Sequence, residues 1–99
     1  MTYYPSLDYF LAIARHKNIT KAAQELHVSQ QNLSIYLKRL EQYYQVTLFE
    51  RKPRLKLTPA GEILLSEAMK IQEIQQNIQQ QLDFFIGNNS ALPPDTEAV

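Results

Sequence analysis

Apolar side chains recur along the first half of the chain at the spacing of a helix. Leu7, Phe10, Leu11 and Ala14 fall at i, i+3, i+4 and i+7, which is one helical face. Ser6 precedes them, and its hydroxyl can accept an N–H of the first turn. This predicts a helix over about 6–17, with Asn18 as its stop. Thr20 is the next residue of N-cap type, followed by the short stripe Ala22, Ala23 and Leu26, so a second helix is expected over about 20–26. The two alanines are small enough for another helix to come close. His27-Val28-Ser29 interrupts, and Ser29 is placed to cap a third helix over about 30–43, with Leu33, Leu37, Leu40 and Tyr44 as its buried face. So short a connection matches a helix-turn-helix joint, although this turn lacks its usual glycine and has His27 in the neighbourhood.

From residue 46 the period shortens. Val46, Leu48 and Phe49 read as one strand, and Leu55 and Leu57 alternate with Lys56 as a second, with Lys52-Pro53 as the turn between them. Thr58-Pro59 then opens a last helix: threonine caps, and proline suits the first position because its missing N–H would have no partner there. Only a tolerated Gly61 interrupts the helical pattern from Pro59 to about Ile86, a length of roughly 42 Å at 1.5 Å per residue. Gly87-Asn88-Asn89-Ser90 is the expected end. The fold class read from this order is mainly α. It is a winged helix-turn-helix (three helices and a short β-hairpin wing) over 1–58, a linker or dimerisation helix over 59–87, and a disordered tail over 88–99.

The last helix carries Leu64, Ala68, Ile71, Ile78, Leu82 and Phe85 at spacings of three and four, with Gln75 in the one polar slot and Ile74 and Ile86 widening the stripe. A small three-helix head cannot cover a stripe that long. The part from Ile71 to Phe85 therefore needs another partner, and a second copy is the reading adopted. A helix folded back on its own domain, or a merely glutamine-rich stretch, remains an alternative at this point.

Charge changes the picture, because the net value of zero hides an asymmetry. Residues 1–58 hold nine lysines and arginines against four acids, a balance of +5, and residues 59–99 hold one against six, a balance of −5. A basic head on an acidic tail suggests that the head meets a polyanion. On the third helix, Gln31, Ser34, Ile35, Lys38 and Gln42 lie opposite the leucines, with Gln30 at the edge. The N-terminal side chains of a helix lying in a major groove reach base edges, and glutamine can pair with both N6 and N7 of adenine. Lys38 and Arg39 one turn on, Ser29 at the cap, Thr20 and Lys21 at the second helix, and Arg51, Lys52, Arg54 and Lys56 on the hairpin are candidates for the phosphate backbone or minor groove. Ile35 is a large apolar group among these polar ones; a thymine methyl would explain it, as would an ordinary surface isoleucine.

Chained in order, Leu7-x-Tyr9-Phe10, Asn18-Ile19-Thr20-Lys21-Ala22-Ala23, Leu26-His27-Val28-Ser29-Gln30, Leu33-Ser34, Arg39-Leu40-Glu41, Leu48-Phe49-Glu50-Arg51 and Leu57-Thr58-Pro59-Ala60-Gly61 strongly resemble the LysR-type transcriptional regulators over about residues 6–65. The resemblance implies a bacterial regulator that binds double-stranded DNA at an inverted repeat. It also implies a homodimer formed through Leu64, Ala68, Ile71, Ile74, Ile78, Leu82 and Phe85, and tetramers in full-length members. The family's base-reading positions fall on Gln30, Gln31, Ser34 and Ile35, and its wing arginine on Arg54. Gln31 stands where proline is common and Ile35 where arginine is common. The family's C-terminal effector-binding domain is expected to be missing from this chain, and with it any small-molecule effector.

Other chemistries find little support. There is no cysteine, only two histidines (His16 and His27) without ligand spacing, and only two glycines, hence no glycine-rich phosphate loop. No enzyme, metal site or cofactor is expected. His27 is expected to pack in its turn and His16 to stay exposed. The longest apolar run, Phe10 to Ala14, is far short of the roughly 20 residues that span a bilayer, and a cytoplasmic protein is expected. A winged helix that binds a protein partner is the alternative from another class.

Overall fold

The computed structural model describes residues 5–89, so most of the predicted disordered tail lies outside the described residues. The elements run α1 (Asp8–His16), α2 (Ile19–Leu26), α3 (Gln30–Tyr44), β1 (Phe49–Glu50), β2 (Lys56–Leu57) and α4 (Pro59–Asn89). The chain forms two compact units divided between Met69 and Lys70.

The first unit is built on a core of Phe10, Leu11, Ala12, Ile13, Ala14, Ala22, Ala23, Leu33, Leu37, Leu40, Leu48, Phe49 and Ala68. The α1 stripe is broader than the sequence spacing indicated, because Ala12 and Ile13 are buried beside Phe10 and Leu11. Ala22 and Ala23 are buried where α2 meets its neighbours α1 and α3. Phe10 meets the Phe49 ring with centroids 5.6 Å apart, joining α1 to the hairpin. Tyr44, assigned to the buried face of α3, is instead 39% exposed.

Helix starts are set by capping. Ser29 caps α3, its hydroxyl accepting the Asn32 N–H at 3.0 Å. Asn18, expected as a stop, is the N-cap of α2, and its side chain accepts the Lys21 N–H at 2.9 Å; Thr20 lies inside the helix. Leu7 holds the N-cap position of α1, and the Ser6 hydroxyl accepts the Asp8 N–H at 3.3 Å. Helix ends share another device. Lys17, His27 and Gln45 each close their helix in the left-handed region, at φ 53°, 58° and 58°. Glycine is the usual residue there, and at each of these three positions the cap N–H turns back to a carbonyl of the last turn. His27, expected to pack in the turn, is exposed and serves through its backbone.

The hairpin is shorter than predicted and displaced. Phe49 pairs with Leu57 and Glu50 with Lys56, antiparallel, while Val46 is exposed and unpaired in the sheet. Leu48 is buried but spends its backbone elsewhere: its N–H goes to the Glu41 carboxylate and its carbonyl accepts the Thr58 N–H at 3.0 Å. Thr58 then caps α4, accepting the Gly61 N–H on its hydroxyl at 3.0 Å. Gly61 is more than tolerated in this first turn. A Cβ there would overlap the Leu48 carbonyl oxygen, 3.1 Å from the carbonyl carbon and 2.8 Å from Leu57 Cδ2.

In the second unit, α4 continues through Gly87 to Asn89, past the end predicted for it. Ile71, Ile74, Ile78, Leu82 and Phe85 are 45–58% exposed.

Candidate nucleic-acid interface

Helices α2 and α3, joined by His27-Val28-Ser29, form the helix-turn-helix. Leu33, Leu37 and Leu40 hold one side of α3 in the core, which turns the other side outward. On that side Gln30, Gln31, Ile35, Lys38, Arg39 and Gln42 are exposed and Ser34 is half-buried. They form two ridges four residues apart: Gln30, Ser34, Lys38 and Gln42 on one, Gln31, Ile35 and Arg39 on the other. Side chains capable of hydrogen bonding thus occupy the N-terminal turn, and cations follow one turn later.

Two side chains that sequence reasoning left without a role fix the orientation of this surface. The Tyr36 hydroxyl donates to the Ser6 carbonyl at 2.5 Å and accepts the Phe10 N–H at 3.3 Å, while its ring meets Tyr9 edge-on at 5.1 Å. That ties α3 to the start of α1. At the other end, Glu41 Oε2 accepts the N–H groups of Leu48 (2.7 Å) and Phe49 (3.3 Å), which anchors the hairpin to α3. Sequence did carry a signal for Glu41. It follows Leu37 by four residues, so an acid sits on the core side of the helix, where burial demands a partner.

The flanking cations divide by environment. Among the described residues, Lys21, Lys38, Arg39, Arg51, Lys52 and Arg54 form no ion pair, and all are exposed. Lys56 lies 3.8 Å from Glu50 across the hairpin, so part of its charge is answered locally. Arg15 and His16 pair with Glu25, Arg15 by a hydrogen-bonded ion pair and His16 Nε2 at 2.5 Å. The Arg15 hydrogen bond first, and the His16 one second, hold the Glu25 carboxyl below its ordinary value. Glu25, Glu41 and Glu50 are thereby engaged, and Lys38 and Arg39 on the outward face of α3 form no ion pair among the described residues. Thr20 is exposed next to Lys21 in the first turn of α2, where Asn18 has taken the Lys21 N–H. The Ser29 hydroxyl accepts the cap bond and keeps its own proton to donate.

The residues assigned to a partner-facing stripe on the long helix separate into two groups. Ala68 is buried in the core of the first unit, and Leu64 is half-buried against that core. Ile71, Ile74, Ile78, Leu82 and Phe85 retain exposed surface. No group of three or more histidine, cysteine, aspartate or glutamate side chains suited to a metal occurs among the described residues. No helix among them is long and apolar enough to cross a membrane.

Comparison with known proteins places this geometry. The family model for bacterial regulatory helix-turn-helix proteins of the lysR family matches residues 5–62. The HTH-type transcriptional regulator CysL of Bacillus subtilis (strain 168) is 40% identical over 70 residues, which cover 70% of this chain and 23% of CysL. The chain thus spans about a quarter of the length of that relative. Among solved structures, the CbnR DBD–DNA complex matches with a TM-score of 0.71 at 36% identity, covering 78% of this chain and 90% of that one. The BenM DBD complex with catB site 1 DNA matches with a TM-score of 0.74 at 30% identity, covering 84% and 91%.

Proposed function

The chain belongs to the LysR family of bacterial regulatory helix-turn-helix proteins, and from that premise we propose that it binds double-stranded DNA sequence-specifically, as a dimeric transcription regulator in the bacterial cytoplasm. The observation that carries this reading is the outward face of α3, with Gln30, Gln31, Ser34 and Ile35 ahead of the unpaired cations Lys38 and Arg39. In the reading, α3 enters the major groove and its first two turns meet base edges. Thr20, Lys21, Ser29, Lys38 and Arg39 hold phosphates, and the hairpin lays Arg51, Lys52, Arg54 and Lys56 along the backbone or in the minor groove. Lys56 contributes least of these, because Glu50 already answers it.

The exposed apolar stripe of α4 supports pairing with a second copy through Ile71, Ile74, Ile78, Leu82 and Phe85. Leu64 and Ala68 serve the head's own core. A dimer presents two copies of α3 to one face of the duplex, at half-sites separated by one or more helical turns of about 34 Å. Displacement of counterions from the contacted phosphates makes affinity fall steeply with salt.

The test is selection from a random duplex library at near-physiological salt, with the bound fraction sequenced. An inverted repeat of fixed spacing supports the reading. A folded chain that enriches no sequence, or a Gln30→Ala/Ser34→Ala variant that enriches the same sequence equally well, overturns it.

A further inference from the structure

Ile35 is the one large apolar side chain on the outward face of α3, and it is 43% exposed there. It lies on the ridge between Gln31 and Arg39, one turn from each, with Ser34 and Lys38 beside it. It also forms part of the wall of a shallow hollow shared with Pro5, Asn32, Tyr36, Arg39 and Leu40. No core residue needs it there, since Leu33, Leu37 and Leu40 complete the buried side of the helix.

Resting on the DNA-reading function proposed above, we propose that Ile35 reads the C5-methyl group of a thymine in each half-site and excludes the other bases at that position. A branched alkyl group has no donor or acceptor, so it offers nothing to the O6 and N7 of guanine or to the amino groups of adenine and cytosine. Pressed against those edges, it removes their water without replacing the hydrogen bonds, which is penalised. The thymine methyl is the major-groove feature of a base pair that gains from apolar contact. Gln31 stands four residues earlier, roughly 6 Å along the helix axis. That is within two base-pair steps, so the thymine falls next to, or one pair removed from, the base that Gln31 meets.

Deoxyuridine in place of thymidine deletes the methyl and leaves every hydrogen-bonding group intact, which isolates this contact. Burial of one methyl-sized group corresponds to about a fourfold change in affinity per half-site, so about fifteenfold for a symmetric site. The experiment takes the duplex selected by the wild-type protein and replaces its thymidines one at a time by deoxyuridine, on both half-sites together. Dissociation constants are measured by fluorescence anisotropy for the wild type and for Ile35→Ala, whose folding is checked by its thermal transition. The expected result is one symmetry-related thymine pair whose methyl loss weakens wild-type binding about fifteenfold and leaves Ile35→Ala indifferent. A selected site at which no methyl deletion matters, or at which Ile35→Ala keeps the full loss, overturns the assignment of Ile35 while leaving DNA reading intact. Absence of any selected site overturns the DNA-reading function itself, and this inference with it.

Discussion

Replacement of Gly61 by alanine tests the joint that holds hairpin and long helix together. The added Cβ overlaps the Leu48 carbonyl oxygen and lies 3.1 Å from its carbon and 2.8 Å from Leu57 Cδ2. Ordinary carbon–carbon contact is about 3.5–4.0 Å, so α4 and the Leu48 backbone must separate by at least roughly half an ångström. Leu57 Cδ2 is the end of a side chain and can rotate; the Leu48 carbonyl is backbone and already accepts the Thr58 N–H. Overpacking of this kind costs about 1–3 kcal/mol, and weakening the Thr58 bond adds up to about 1 kcal/mol. Alanine returns up to about 1 kcal/mol through helix propensity. The balance is about 2 kcal/mol of destabilisation, a fall of roughly 10 °C in the melting temperature of a domain this size. Gly87 is the internal control: a Cβ there meets nothing within 4 Å, so Gly87→Ala should leave stability unchanged or raise it by up to about 1 kcal/mol. The assay is thermal denaturation followed by circular dichroism, with urea titration for the free energy. A Gly61→Ala protein as stable as the wild type would refute the argument, because it would mean that α4 and Leu48 separate without cost.

Other residues give independent tests. Glu41→Ala leaves the Leu48 and Phe49 N–H groups without their acceptor and should cost about 1–3 kcal/mol in urea denaturation, whereas Glu41→Gln, which keeps a carbonyl oxygen, should recover most of it. The folded state depresses the Glu25 carboxyl below its usual 4.5, so the stabilisation by Glu25 is present above that pH and lost as pH falls through the lowered value. Melting temperatures of wild type and Glu25→Gln should therefore differ at pH 6, with the gap narrowing as the solution is made more acid; a gap that does not narrow with acid contradicts the ion-pair account. Ile71→Asp combined with Ile78→Asp places charge on the exposed stripe of α4 and should convert a dimer to a monomer in sedimentation equilibrium, with the head's melting transition retained. Wild-type protein that stays monomeric at high concentration would sink the pairing proposal.

Much of the architecture was legible in one dimension because helix burial is periodic. Leu33, Leu37 and Leu40 on one side of α3 dictate which residues face outward, whatever they pack against. Ser29 announced the start of α3, and Thr58-Pro59 that of α4, because a cap acts within three residues of itself. Other features depended on groups distant in sequence. Thr20 was read as the cap and Asn18 as a stop, and only the backbone path decided that Asn18 turns back onto Lys21. The helix ends at Lys17, His27 and Gln45 carry no glycine, so their left-handed conformation had no local signature. The strand forecast over Val46, Leu48 and Phe49 was displaced, because Glu41 and Thr58 claim the Leu48 backbone. The apolar stripe of α4 reads as continuous, yet Leu64 and Ala68 belong to the head while Ile71 and beyond stay exposed. Helical periodicity by itself determined which side of each helix is apolar. Only the tertiary structure decided how far each apolar side is covered, and which backbone groups take Glu41, Tyr36 and Gly61 as neighbours, because those contacts join residues far apart in the chain.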